Sequence, residues 1–170
     1  MSQPHAPELD EDTQRFVNQL FDDARQGNTE RLAELLAQGL SANLRNHKGD
    51  SLLMLASYHG HRDTVSLLLD HQADPDLRNQ AGQTPLAGAA FKGDLGMLEL
   101  LLERGADVEG ASADGKTALM MAAMFNRLEA MRLLLARGAD PQARDASGLT
   151  PAAAARMMGA SEALALLEAA

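Results

Sequence analysis

Glycines recur at Gly49, Gly82, Gly115 and Gly148, each 33 residues after the one before, and the hydroxyl residues Ser51, Thr84, Thr117 and Thr150 keep the same interval. The triplets Leu67-Leu68-Leu69, Leu100-Leu101-Leu102 and Leu133-Leu134-Leu135 fall in the same register. A period of this size constrains the chain to a stacked array. One short unit cannot bury its apolar face alone, so each copy must lean on the next.

The unit is clearest from Gln83 to Asp107, which reads Q-T-P-L-A-G-A-A-F-K-G-D-L-G-M-L-E-L-L-L-E-R-G-A-D. The glycine before the threonine suits the positive φ of a tight turn. The hydroxyl can accept a bond from an orphan amide of a starting helix, and Pro85 or Pro151 sits at the one helical position where proline is tolerated. Ala56, Ala89, Ala90, Ala122 and Ala123 are small so that neighbouring units can approach closely, and the leucine triplets form the apolar stripe of a second helix. Gly105 and Gly138 are placed to stop that helix in the left-handed conformation.

These T-P-L-A-G-A-A, G-D, L-L-L and G-A-D pieces resemble the ankyrin repeat, and the resemblance covers Phe16 to the C-terminus as about five units. It implies an all-α, ankyrin-type helix-turn-helix solenoid with short β-turn fingertips, and a protein ligand in place of a catalytic centre. Residues 1–10 are expected to be a disordered tail and 11–170 a single domain, with units at 11–45 (N-terminal cap), 46–78, 79–111, 112–144 and 145–170 (C-terminal cap). The chain departs from the family pattern where a histidine usually follows T-P-L, because Met54, Ala87, Met120 and Ala153 stand there. Apolar packing is expected to replace the missing side-chain bond. Gln72 stands where other units have glycine, which predicts a residue forced into, or straining against, a left-handed helix end.

In the first unit a helix is expected over 11–26, with Phe16, Leu20 and Ala24 facing the core and Asp22 and Asp23 supplying a polar outer side. Second helices are expected at 28–38, 62–71, 95–104, 128–137 and 162–169. In the last of these, Leu164, Leu166 and Leu167 are expected to point inward and Ala163 and Ala169 elsewhere.

Composition narrows the function classes. With no cysteine there is no disulfide or thiolate chemistry, and no apolar run approaches the roughly 18 residues of a membrane span. The N-terminus lacks the basic and apolar regions of a secretory signal, so a cytoplasmic protein is expected, and the Ala- and Leu-rich composition looks bacterial. The formal net charge is −9, and Glu8 to Glu34 carries eight acids against three arginines. Such a surface disfavours nucleic-acid phosphate and favours a basic partner.

His59, His61 and His71 lie close in sequence but on a turn and at the far end of the next helix, a geometry that does not converge on a metal. No Gly-x-Ser-x-Gly, Walker or His-Glu-x-x-His pattern is present. No catalytic residue, metal or cofactor is therefore assigned.

Positions that vary between units at equal register are free to serve a partner. One column at the end of the first helix reads Arg25, Tyr58, Phe91, Met124 and Met157, and the next reads Gln26, His59, Lys92, Phe125 and Met158. In ankyrin-like stacks these columns line the concave face, and Tyr58, Phe91 and Phe125 are expected to be solvent-accessible. A second set lies on the turn tips: His47, Lys48 and Asp50; Gln80 and Gln83; Asp114 and Lys116. Beside them Arg45, Arg78 and Arg144 suit either a ladder between hairpins or contacts to partner carboxylates. The chain thus reads as a monomeric protein-binding module, an adaptor or a stoichiometric regulator or inhibitor. The alternatives are a carrier or antitoxin-like protein for a basic partner, or a metal- or small-ligand-binding protein or hydrolase built around His59.

Overall fold

The computed structural model describes residues 8–170. Among them, α1 (Glu11–Gln26) and α2 (Thr29–Ala37) are followed by α3 (Leu52–Tyr58), α4 (Arg62–Asp70), α5 (Pro85–Lys92) and α6 (Leu95–Glu103). The stack continues with α7 (Ala118–Met124), α8 (Leu128–Ala136), α9 (Pro151–Met157) and α10 (Ser161–Ala169). Extended structure among these residues amounts to one antiparallel bridge, between Arg45 and Ser51. No helix here is long and apolar enough to cross a membrane. Of the tail expected at residues 1–10, the first seven positions lie outside the described residues, and Asp10 is the N-cap of α1, accepting from the Thr13 amide.

The repeated residues start the first helix of each pair as their chemistry requires. Ser51, Thr84, Thr117 and Thr150 accept the amide three residues on at 3.0, 3.2, 3.3 and 3.2 Å. The first helices α1, α3, α5, α7 and α9 form an inner row and the second helices an outer row. Inner neighbours pack on one another more extensively than outer neighbours do, which bends the stack toward the inner row. The small residues make this possible: Ala56, Ala90, Ala123 and Ala155 are wholly buried. Leu68, Leu101 and Leu134, the central members of the leucine triplets, fill the space between the rows without exposure.

Between hairpins, the backbone supplies the bonds that the absent histidines do not. The Gln80 amide donates to Lys48 O at 3.0 Å, Ala113 to Gly82 O at 3.2 Å and Ala146 to Asp114 O at 2.9 Å. Gly82 is needed for this contact, because its φ is 76° and a Cβ there would lie 2.6 Å from the Ala113 nitrogen. Met54, Ala87 and Met120 are buried at the histidine position. A second ladder runs through the loops after the outer helices. Asn43 accepts the Asp74 amide at 2.7 Å, Asp76 the Asp107 amide at 3.0 Å and Glu109 the Asp140 amide at 2.7 Å. Burial pushes the Asp76 carboxyl above its usual range, against the opposing pull of the Asp107 amide.

The two ends differ from the sequence expectation. Phe16 is 41% exposed, while Leu20 and Ala24 are buried as expected. At 16 residues α1 is more than twice as long as the 7-residue α3 against which it packs, so its first turns overhang the stack. Asp23, expected on a polar outer side, is buried to 1% exposure. It accepts from Gln19 at 3.1 Å and Asn28 at 2.9 Å, and Arg31 faces its other oxygen at 2.8 Å, so the capping unit turns this carboxylate inward. In α10, Ala163 is fully buried and joins Leu167 one turn on, whereas Leu164 and Leu166 are half-buried. Gln72 holds a φ of 66° at the end of α4, the left-handed conformation expected of glycine.

Candidate functional site

The inner helices α3, α5 and α7 each pack between two others, and their last turns and the residues just beyond carry most of the variable side chains. Between α3, α5, α7 and the hairpins around Gln83 and Asp114, these residues bound a groove of about 520 Å³. Tyr58, Phe91, Met124 and Phe125 line it from the helix ends, and Gln83, Asp114 and Lys116 from the hairpin side. Gly88 lies beneath Tyr58, its missing side chain leaving room for the ring, to which a Cβ would come no closer than 3.4 Å.

The aromatic residues are not equally free. Tyr58 is 40% exposed, in line with the expectation of accessibility. Phe91 and Phe125 are half-buried, because their rings meet edge to face with centroids 4.6 Å apart at 85°. The Lys92 ammonium stands 4.2 Å over the Tyr58 ring and donates to the Tyr58 carbonyl at 2.8 Å. Such a bond recurs along the row. His61 Nε2 meets the Arg25 carbonyl at 2.7 Å and Arg127 Nε the Phe91 carbonyl at 2.9 Å, so each of the first three units is tied at a helix-end oxygen by a side chain of the next.

The charged side chains that line the groove, Asp114 and Lys116, pair with one another, and Lys92 and His59 stand beside it. Partial burial and then the nearby Lys92, His61 and Arg25 hold His59 below the usual imidazole value. Asp114, bonded by Lys116 and Ser112, is pulled down to about 2, and Lys116 is raised in return. Lys116 also faces Asp145 at 3.8 Å.

Other sequence candidates lie away from the groove. Arg25 is ion-paired with Asp22 at 2.6 Å at the N-terminal end of the row, next to the exposed Gln26. Met157 and Met158 stand out at the other end with 72% and 51% exposure. His47, Lys48, Asp50 and Gln80 are on the hairpins toward the N-terminal side, where Asp50 accepts from Asn79 at 2.9 Å. Arg45 donates to the Arg78 carbonyl at 3.4 Å and Arg144 to the Gly148 carbonyl at 2.8 Å, which commits two of the three guanidiniums to the framework. Met121, Met54 and Ser112 line the groove although sequence reasoning did not single them out. The signal for Met121 existed, since its column of Asp22, Leu55, Gly88, Met121 and Ala154 varies as much as the two chosen.

Three histidines make contacts within the scaffold. His61 holds the Arg25 carbonyl, His71 Nδ1 lies 2.9 Å from the Leu67 carbonyl, and His59 packs edge to face with Tyr58 at 5.6 Å. Among the described residues no group of three or more His, Asp or Glu side chains is disposed to hold a metal ion.

Comparison with known proteins agrees with this geometry. A family model described as ankyrin repeats in three copies matches residues 20–112, and another, of ankyrin repeats in many copies, matches residues 101–155. An ankyrin repeat protein of Pseudomonas aeruginosa is 73% identical over 67 residues, a match that covers 39% of this chain and 39% of that relative. With the first model spanning more than half its length, and the repeat register, hairpins and inner-helix caps all in place, the chain belongs to the ankyrin repeat family.

Proposed function

We propose that this chain is a non-catalytic module that holds a partner protein in the groove bounded by Tyr58, Phe91 and Phe125, and that it acts as an adaptor or as a stoichiometric regulator or inhibitor of that partner. Ankyrin repeats are generally protein–protein interaction modules, and proteins built from them are typically non-catalytic. The observation that carries the reading is the lining of the groove. An exposed tyrosine, an aromatic pair and three methionines, Met54, Met121 and Met124, surround a floor of Ala87 and Gly88. Aromatic rings offer large area at low entropic cost, and methionine adapts to the shape it meets.

Affinity capture with four baits tests it: the wild-type chain, Tyr58→Ser/Phe91→Ser/Phe125→Ser, and the two tip variants Lys48→Glu and Lys116→Glu. The triple variant is expected to lose the partners that the wild type retains, while the tip variants keep them with slower association and altered salt dependence. Partners retained by the triple variant and lost by the tip variants would move the binding surface to the hairpin edge.

A further inference from the structure

Beyond α1, which carries Glu11, Asp12, Asp22 and Asp23, the charges of this molecule are segregated between its two helix rows. The outer helices α2, α4, α6, α8 and α10 carry nine carboxylates against three arginines, including Glu30, Asp63, Glu99, Glu103 and Glu129. The inner helices α3, α5, α7 and α9 carry no carboxylate at all, and their only charged side chains are Lys92 and Arg156. Of the protein's three lysines, Lys116 lines the groove, Lys92 stands over the ring of Tyr58 at its edge, and Lys48 is on the next hairpin toward the N-terminal side, where its carbonyl accepts the Gln80 amide.

The acids nearest the groove are already committed. Asp50 accepts from Asn79 and Asn46, Asp114 from Ser112 and Lys116, and Asp145 from the Ser147 and Leu149 amides. Lys48 is exposed and Lys92 lies over Tyr58, and neither has a carboxylate partner among the described residues. The net charge of −9, which by itself favours a basic partner, is therefore carried by the outer helices, α1 and the loops, and not by α3, α5, α7 and α9.

We infer that the groove takes an acidic peptide segment of the partner protein, with an apolar side chain set against Tyr58 and the Phe91–Phe125 pair, a carboxylate set toward Lys92 at the groove's edge and, where the segment runs on past Tyr58 along the stack, a second set toward Lys48 on the next hairpin. The inference rests on the proposal that the groove is the binding surface. Charge complementarity decides the sign. A basic segment would meet two unpaired ammonium groups and find no free carboxylate on α3, α5, α7 or α9, whereas an acidic one pairs with both.

Selection of random dodecapeptides displayed on phage, with the full chain as target, tests the idea; the Tyr58→Ser/Phe91→Ser/Phe125→Ser chain serves for counter-selection. Recovered peptides are expected to be rich in Asp and Glu around a Leu, Phe or Trp. A synthetic copy of the best one, followed by fluorescence anisotropy, is expected to bind about three- to ten-fold more weakly to Lys48→Glu and to Lys92→Glu, and to weaken as salt is raised. Lys48→Glu alters an exposed tip and keeps the test valid if the loss of the Lys92 bond to Tyr58 disturbs α3, which circular dichroism reports. Groove-dependent peptides that are neutral or basic would overturn the acidic assignment and leave the groove standing. Peptides that bind the triple-serine chain equally well would overturn the groove reading and this inference with it. Tighter binding of a single-stranded oligonucleotide than of any peptide, lost in both lysine variants, would overturn the assignment to a peptide.

Discussion

The inner and outer helices of one unit, α5 and α6 for example, sit a few residues apart in sequence and live under different constraints. The 8-residue α5 is packed between α3 and α7, so Ala87, Ala89 and Ala90 are buried and only Phe91 and Lys92 at its end are free to vary in kind. The 9-residue α6 buries one stripe of Met97, Leu98 and Leu101 and turns Glu99 and Glu103 to solvent. The outer row thus turns charge to solvent, and under the proposed function the ends of the inner row hold what is bound.

Buried framework positions should respond alike on both rows, and this is where the largest effect is expected. Leu134→Ala on the outer row and Leu119→Ala on the inner row, both unexposed in the wild type, are each expected to cost about 2–5 kcal/mol in urea unfolding. A much cheaper Leu119→Ala would mean that the inner row is less tightly packed than its burial implies. At the free inner ends, Tyr58→Ser/Phe91→Ser/Phe125→Ser should separate folding from binding. The loss of the edge-to-face pair and of half-buried area is expected to take about 1–3 kcal/mol from stability, while binding through the groove is abolished.

The connections between rows sharpen the contrast further. Gly82→Ala is expected to destabilise by about 1–3 kcal/mol, since alanine would be strained at that φ and would press on the Ala113 backbone. Gln72→Gly removes a strained left-handed residue and is expected to stabilise by about 1 kcal/mol, because the side chain makes no bond there that glycine would lose. A loss of stability in that variant would mean that Gln72 supports the end of α4 through its side chain. The smallest expected effect is the pH response of the hairpin tip. Asp114 titrates near 2 in the folded chain against an ordinary 3.8, so its contribution is complete above about pH 4 and disappears as pH falls through 2. Lys116→Gln should flatten that slope in acid unfolding, and an unchanged slope would place the acid sensitivity elsewhere.

Much of the fold was legible in the sequence because the repeat compares itself with itself. The cap residues Ser51, Thr84, Thr117 and Thr150 and the central leucines Leu101 and Leu134 act through contacts local to one unit, and they behave as their register implies. The two variable columns were legible for the same reason, although Met121 in a third column was passed over. What was not legible depends on how one unit meets the next. Period and residue type do not reveal that Phe91 and Phe125 cover each other, since the contact joins side chains 34 positions apart across a curved interface.

The ends of the stack make the same division. The sequence alone determined that α1 is a helix and that its capping unit is rich in acids, because helix periodicity and charge are read residue by residue. Only the tertiary structure decided that Phe16 is left outside and Asp23 drawn inside, because those outcomes turn on the length of α1 relative to α3 and on the placement of Asn28 and Arg31 around one carboxylate. Charge is settled in the same way. The total of −9 belongs to the sequence, and its separation into an acidic back and an inner row without carboxylates beyond α1 arises from which helix each residue rides on and which face that helix turns to its neighbour.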